Sequence, residues 1–105
     1  MEDNKPANKS LEIKIDAETA QGRYSNLAAI SHQETNFIID FIFVEPQAPA
    51  GKVFSRVITS PQHAKRLLKA LEENIAKYEA HYGVIQLNPA SEPTHSGSPG
   101  MSYYH

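Results

Sequence analysis

The stretch from Ser60 to Gly83, SPQHAKRLLKALEENIAKYEAHYG, constrains the fold more than any other, because both ends of a helix are written into it. Ser60 is a good N-cap, since its hydroxyl can accept an otherwise unpaired amide of the first turn. Pro61 follows at the first helical position, where a missing N–H costs nothing. Gly83 stands where a left-handed C-terminal residue is wanted. Between them Ala64, Leu68, Leu71, Ile75, Tyr78 and Tyr82 recur at alternating steps of four and three, and Leu67 widens the stripe. Such a helix is roughly 33 Å long. A sheet of four strands is only about 19 Å across, so the helix can overhang it, and its 3.5-residue period suits a second helix.

The chain ahead of this helix reads as sheet. LEIKID alternates, with Leu11, Ile13 and Ile15 on one side and Glu12 and Lys14 on the other, which predicts an edge strand. AETAQGR is a connector that turns at Gly22, and YSNLAAISH is a weaker strand. NFIIDFIFV is the strongest strand: Phe37, Ile39, Phe41 and Phe43 share one face, and Ile38, Ile42 and Val44 share the other with Asp40. Apolar residues on both faces mark a central strand. EPQAPAG is a loop, and KVFSRVIT is the next strand. The expected architecture is α+β: an antiparallel meander of about four strands followed by one long C-terminal helix packed on the sheet through Leu68, Leu71 and Ile75. Residues 1–10 lack periodicity and 89–105 are rich in Pro, Ser and Gly. Both predict disorder around a single domain over 11–88, with Tyr103 and Tyr104 the sticky feature of the tail.

Pairing the central strands symmetrically about Ala48 sets Asp40 opposite Arg56, Ile38 opposite Ile58, Ile39 opposite Val57, Ile42 opposite Phe54, Phe43 opposite Val53 and Val44 opposite Lys52. One face, with Phe37, Ile39, Phe41, Phe43, Val53 and Val57, is then free of charge and suits the helix. The other sets an Asp40–Arg56 pair between apolar pairs, an unusual surface to leave in water. Ile38, Asp40, Ile42, Phe54, Arg56 and Ile58 are accordingly the candidates for an interface with a second subunit.

Recognisable chemistry is sparse. There is no cysteine, which excludes disulfides and thiolate sites. His32, His63, His81, His95 and His105 fall in no metal-ligand spacing, the glycines form no phosphate loop, and Ser and His meet in no nucleophile motif. No catalytic, cofactor or metal residue is therefore nominated, and the chain is read as not an enzyme. A net charge of −2 does not favour nucleic acid or an anionic membrane. Without a secretory leader or an apolar span, the expected location is cytoplasmic. One local rule is broken: Lys65, Arg66 and Lys69 fill the N-terminal half of the helix, and Glu72, Glu73 and Glu79 the C-terminal half, against the helix dipole. The i, i+4 pairs Lys69–Glu73 and Glu73–Lys77 would offset part of that. The basic half is a candidate patch for an acidic partner or phosphate.

The F-I-I-D-F strand, the S-R-V-I-T-S-P segment and the A-K-R-L-L-K-A-L-x-E-N-I-x-x-Y-E helix resemble a small prokaryotic family known as domain-of-unknown-function family 3467, over roughly residues 13 to 85. The resemblance brings no activity, cofactor or catalytic residue. In some bacterial lineages such genes lie beside those for large RNA polymerase subunits, which implies a transcription-linked role. A looser likeness, in element order alone, is to SecB-type export chaperones, which place four antiparallel strands before a long helix and assemble as oligomers.

These readings combine into a non-enzymatic, homo-oligomeric interaction module, a homodimer or larger, docking on a bigger complex. A core of this size is marginal for a lone monomer, which favours that reading. The alternatives are a SecB-like holdase that binds unfolded polypeptides and a weak nucleic-acid module resting on Lys65, Arg66 and Lys69.

Overall fold

The computed structural model describes residues 10–48, 50–87 and 102–104. Along the chain come α1 (Ala17–Ala20), β1 (Leu27–His32), β2 (Phe37–Val44), β3 (Gly51–Thr59), α2 (Pro61–Tyr82) and β4 (Ser102–Tyr104). All four strands belong to one antiparallel sheet in the order β3-β2-β1-β4. The α+β class, the antiparallel sheet and the long helix are as expected, and β2 is central, as its two apolar faces require.

The membership of the sheet differs from expectation. Leu11, Ile13 and Ile15 are exposed and lie in no strand. The edge of β1 that a further strand could have used is taken by β4, whose Tyr104, Tyr103 and Ser102 stand opposite Ala28, Ala29 and Ile30. Asp16, at the end of the alternating run, instead caps α1, its carboxylate accepting from the Thr19 amide at 3.4 Å. The expectation of a structureless tail thus fails for Ser102–Tyr104. The expectations for 1–9, 88–101 and 105 fall outside the described residues.

The β2–β3 hairpin keeps the expected register from Phe37↔Thr59 to Phe41↔Ser55, including Ile38↔Ile58 and Asp40↔Arg56. A bulge between Phe41 and Ile42 then shifts it, so that Ile42 faces Val53, Phe43 faces Lys52 and Val44 faces Gly51. Phe54 is the extra residue, a displacement that no symmetric hairpin anticipates. Glycine suits position 51: a Cβ there would stand 3.0 Å from the Ile42 Cγ2 and 3.2 Å from the Val44 Cγ2.

α2 has the ends written for it. The Ser60 hydroxyl accepts from the His63 amide at 3.1 Å, and Gly83 closes the helix at φ 104° with its amide donating to the Glu79 carbonyl. The helix does not lie buried on the sheet, however. None of its residues is buried, and its apolar stripe is 39–71% exposed from Leu67 to Tyr82. Only Ser60 separates β3 from α2. Among the described residues the buried set is Ala29, Ile42 and Asp40.

Candidate interaction surface

Asp40 sits mid-strand in β2, and strand pairing across the sheet places Arg56, Asp40, Ala29 and Tyr103 in one row. The small Ala29 side chain leaves room beside the carboxylate, and both residues are about 1% exposed. Arg56 binds Asp40 through a two-pronged contact, Nε to Oδ1 at 2.7 Å and a terminal nitrogen to Oδ2 at 2.8 Å. Such paired, charge-assisted bonds are short and directional. They hold the Asp40 carboxyl below its ordinary range against the upward push of burial, with charge attraction adding to the effect. The same bonds, and then the attraction, raise the Arg56 guanidinium. Burial is one-sided: the Asp40 side chain is 2% exposed and that of Arg56 is 57% exposed. The pair is a carboxylate sealed beneath a guanidinium that still touches water.

Around this pair the remaining candidates divide. Ile42 is buried, Ile38 half-buried and Ile58 exposed on the same face. Phe54 leaves the row because of the bulge and carries the Arg23 guanidinium 5.1 Å above its ring. That contact belongs to a hollow of about 660 Å³ lined by Arg23, Tyr24, Phe43, Glu45, Lys52 and Phe54. The opposite sheet face, expected to receive the helix, is left open, with Ile30, Phe43 and Val57 exposed.

On α2 the basic candidates Lys65, Arg66 and Lys69 are all exposed. Neither Lys69–Glu73 nor Glu73–Lys77 closes, since the ion pair present among the described residues is Arg56–Asp40. Among the described residues the helix charges therefore form no ion pair, and the Glu79 carboxylate instead accepts from the Ile85 amide at 2.9 Å. Among the described residues no cluster of His, Asp and Glu is placed to hold a metal, and no helix is long and apolar enough to cross a membrane.

Sequence reading missed the segment that fastens the sheet's end. The Asn26 side chain serves both backbone groups of Val44, accepting from its amide at 2.9 Å and donating to its carbonyl at 3.0 Å. Ser25 beside it donates to the Leu27 and Ile42 carbonyls. No periodicity announces such a bracket, although Ser-Asn ahead of a strand is a familiar source of side-chain to backbone bonds. The Tyr103–Tyr104 pair was visible as a sticky feature, but its docking edge on β1 was not.

No curated protein and no solved structure matches the chain. The sequence model of one family matches residues 1–87, a segment that holds β1 to β3 and α2 and leaves out β4, and on that match the chain belongs to the family described as protein of unknown function (DUF3467).

Proposed function

We propose that this chain is a non-enzymatic, homo-oligomeric interaction module that docks on a larger assembly, in the cytoplasm and linked to transcription. The observation that carries the oligomeric part is the apolar stripe of α2, exposed from Leu67 to Tyr82, beside a sheet whose face opposite Asp40 is also open at Ile30, Phe43 and Val57. Apolar surface on this scale marks an interaction site in soluble proteins. A domain that buries so little of its own apolar surface gains most of its stability from what covers it. The transcription link is supported by the family resemblance alone.

Light scattering over a range of concentrations tests the oligomer. Ile58→Asp is the informative variant on the Asp40–Arg56 face, because Ile58 is 60% exposed and an acid there need not be buried in the folded chain. Ile42→Asp is uninformative, since it would bury a second carboxylate beside Asp40. A wild type that stays monomeric at high concentration overturns the reading. An oligomer that survives Ile58→Asp removes this sheet face from the interface. Purification from native lysate at physiological salt tests docking, which requires a fixed stoichiometric partner. Suppression of aggregation of an unrelated client, with no such partner, would favour the holdase instead.

A further inference from the structure

The α2 stripe and its charges have a symmetry that the single chain does not use. Ala64, Leu68 and Leu71 lead the stripe, and Ile75, Tyr78 and Tyr82 end it. Turned end for end about a point near Glu73, the stripe maps onto itself. Ala64 then meets Tyr82, Leu68 meets Tyr78, and Leu71 meets Ile75, so that the smallest residue faces the largest. The same operation brings Lys65, which flanks the stripe, beside Glu79, which flanks it on the same side. It also brings Glu72, on that flank, close to its own copy, while Arg66 and Lys69 lie on the far side of the helix.

We propose that α2 pairs antiparallel with α2 of a second copy, across a two-fold axis near Glu73, with Lys65 of each copy beside Glu79 of the other. This rests on the oligomeric reading above and names its interface. Two observations select a second copy as the occupant. The helix leaves β3 through Ser60 alone and has no buried residue, so its own sheet does not cover it. Its charges oppose its own dipole and form no ion pair among the described residues, and in the reversed copy the two Lys65–Glu79 contacts bring opposite charges together. A parallel pair would set Lys65 opposite Ser60 and Glu79 opposite Asn74, so neither would meet an opposite charge, and Ala64 against Ala64 would leave a gap. An isologous contact of this kind closes at two copies. Alternating steps of four and three are the spacing that interlocking helices require.

Because the chain contains no cysteine, single-cysteine variants of the full-length protein read the arrangement directly. Asn74 flanks the stripe close to the proposed axis, so Asn74→Cys should give a covalent dimer with a short bis-maleimide. Lys65→Cys should not cross-link to itself, because the two copies of that position lie about 21 Å apart along the pair. Lys65→Cys refolded together with Glu79→Cys should cross-link. In light scattering, Glu79→Lys should weaken dimerisation about tenfold, and adding Lys65→Glu should restore it. Self-linking of Lys65→Cys would show parallel helices and overturn the proposal. A dimer in light scattering without cross-linking at Asn74 would overturn this pairing while leaving the oligomer standing. A charge-swapped double variant no better than Glu79→Lys would overturn the register, and a monomeric wild type would remove both readings.

Discussion

Removing one side of the Arg56–Asp40 contact should not cost the same as removing the other. Arg56→Met keeps most of the apolar stem but strips both hydrogen bonds, 2.7 and 2.8 Å, from a carboxylate whose side chain is 2% exposed. Asp40→Asn leaves a guanidinium that is already 57% exposed and turns to water. A fully buried pair broken from one side costs about 3–5 kcal/mol, and an exposed pair at most about 1 kcal/mol. Asp40 is buried but its partner is wet, so the stripped carboxylate falls between these limits, at about 2 kcal/mol. The Asn variant should lose about 1 kcal/mol, because what it leaves in the buried position is a neutral amide and not a charge. Urea unfolding at one fixed protein concentration measures both, since any association adds a concentration term.

The pH dependence sharpens the test. In the wild type the Asp40 carboxyl is held below its ordinary value of 3.8 by the hydrogen bonds from Arg56. A depressed acid contributes stability that is present above its unfolded value and lost as pH falls through its folded value. In Arg56→Met only burial remains, which raises the carboxyl, and an acid so raised destabilises at neutral pH and recovers on acidification. The gap between wild type and Arg56→Met should therefore be widest near neutrality and narrow below about pH 4. Other carboxylates cancel in the difference. Equal losses in the two variants, or a gap that does not change with pH, would refute the one-sided burial on which this rests.

Further expectations concern the caps and the tail. Ser60→Ala removes the acceptor of the His63 amide and should cost about 1 kcal/mol in urea unfolding, with Ser60→Asp close to wild type. Asn26→Ala leaves both backbone groups of Val44 without their side-chain partner and should cost about 1–2 kcal/mol, with faster amide exchange at Val44 than at Ile39. Truncation after Leu87 removes β4, so exchange should quicken along the β1 edge, while Ile39 and Phe41, between β1 and β3, keep their protection. An unchanged β1 edge would show that β4 adds nothing in solution.

What could be read from the sequence follows from how local each signal is. Ser60, Pro61 and Gly83 act within one turn of themselves, and α2 begins and ends where they place it. The first part of the β2–β3 register was legible because Ile38 and Ile58, and Asp40 and Arg56, are pairs that one hairpin brings together. The bulge was not: it takes Phe54 out of the row, and Phe54 meets Arg23 from a separate segment, which no pairing within the hairpin announces. Nor was the choice of fourth strand. LEIKID has the better alternation, but strand propensity expresses the fit to a pleated neighbour, and the β1 edge goes to Ser102–Tyr104.

The helix carries the same lesson to the functional site. Periodicity shows that a face is to be covered without naming what covers it. Leu68, Leu71 and Ile75 read equally well as anchors on their own sheet or as a seam with another helix. The structure decides against the sheet, because none of the residues of α2 is buried. The charges then complete the argument. Lys65 to Lys69 opposing the dipole and Glu72 to Glu79 following them make a poor isolated helix, but they suit one that meets its own reverse. On the antiparallel pairing proposed above, a pattern unfavourable within one chain becomes favourable between two.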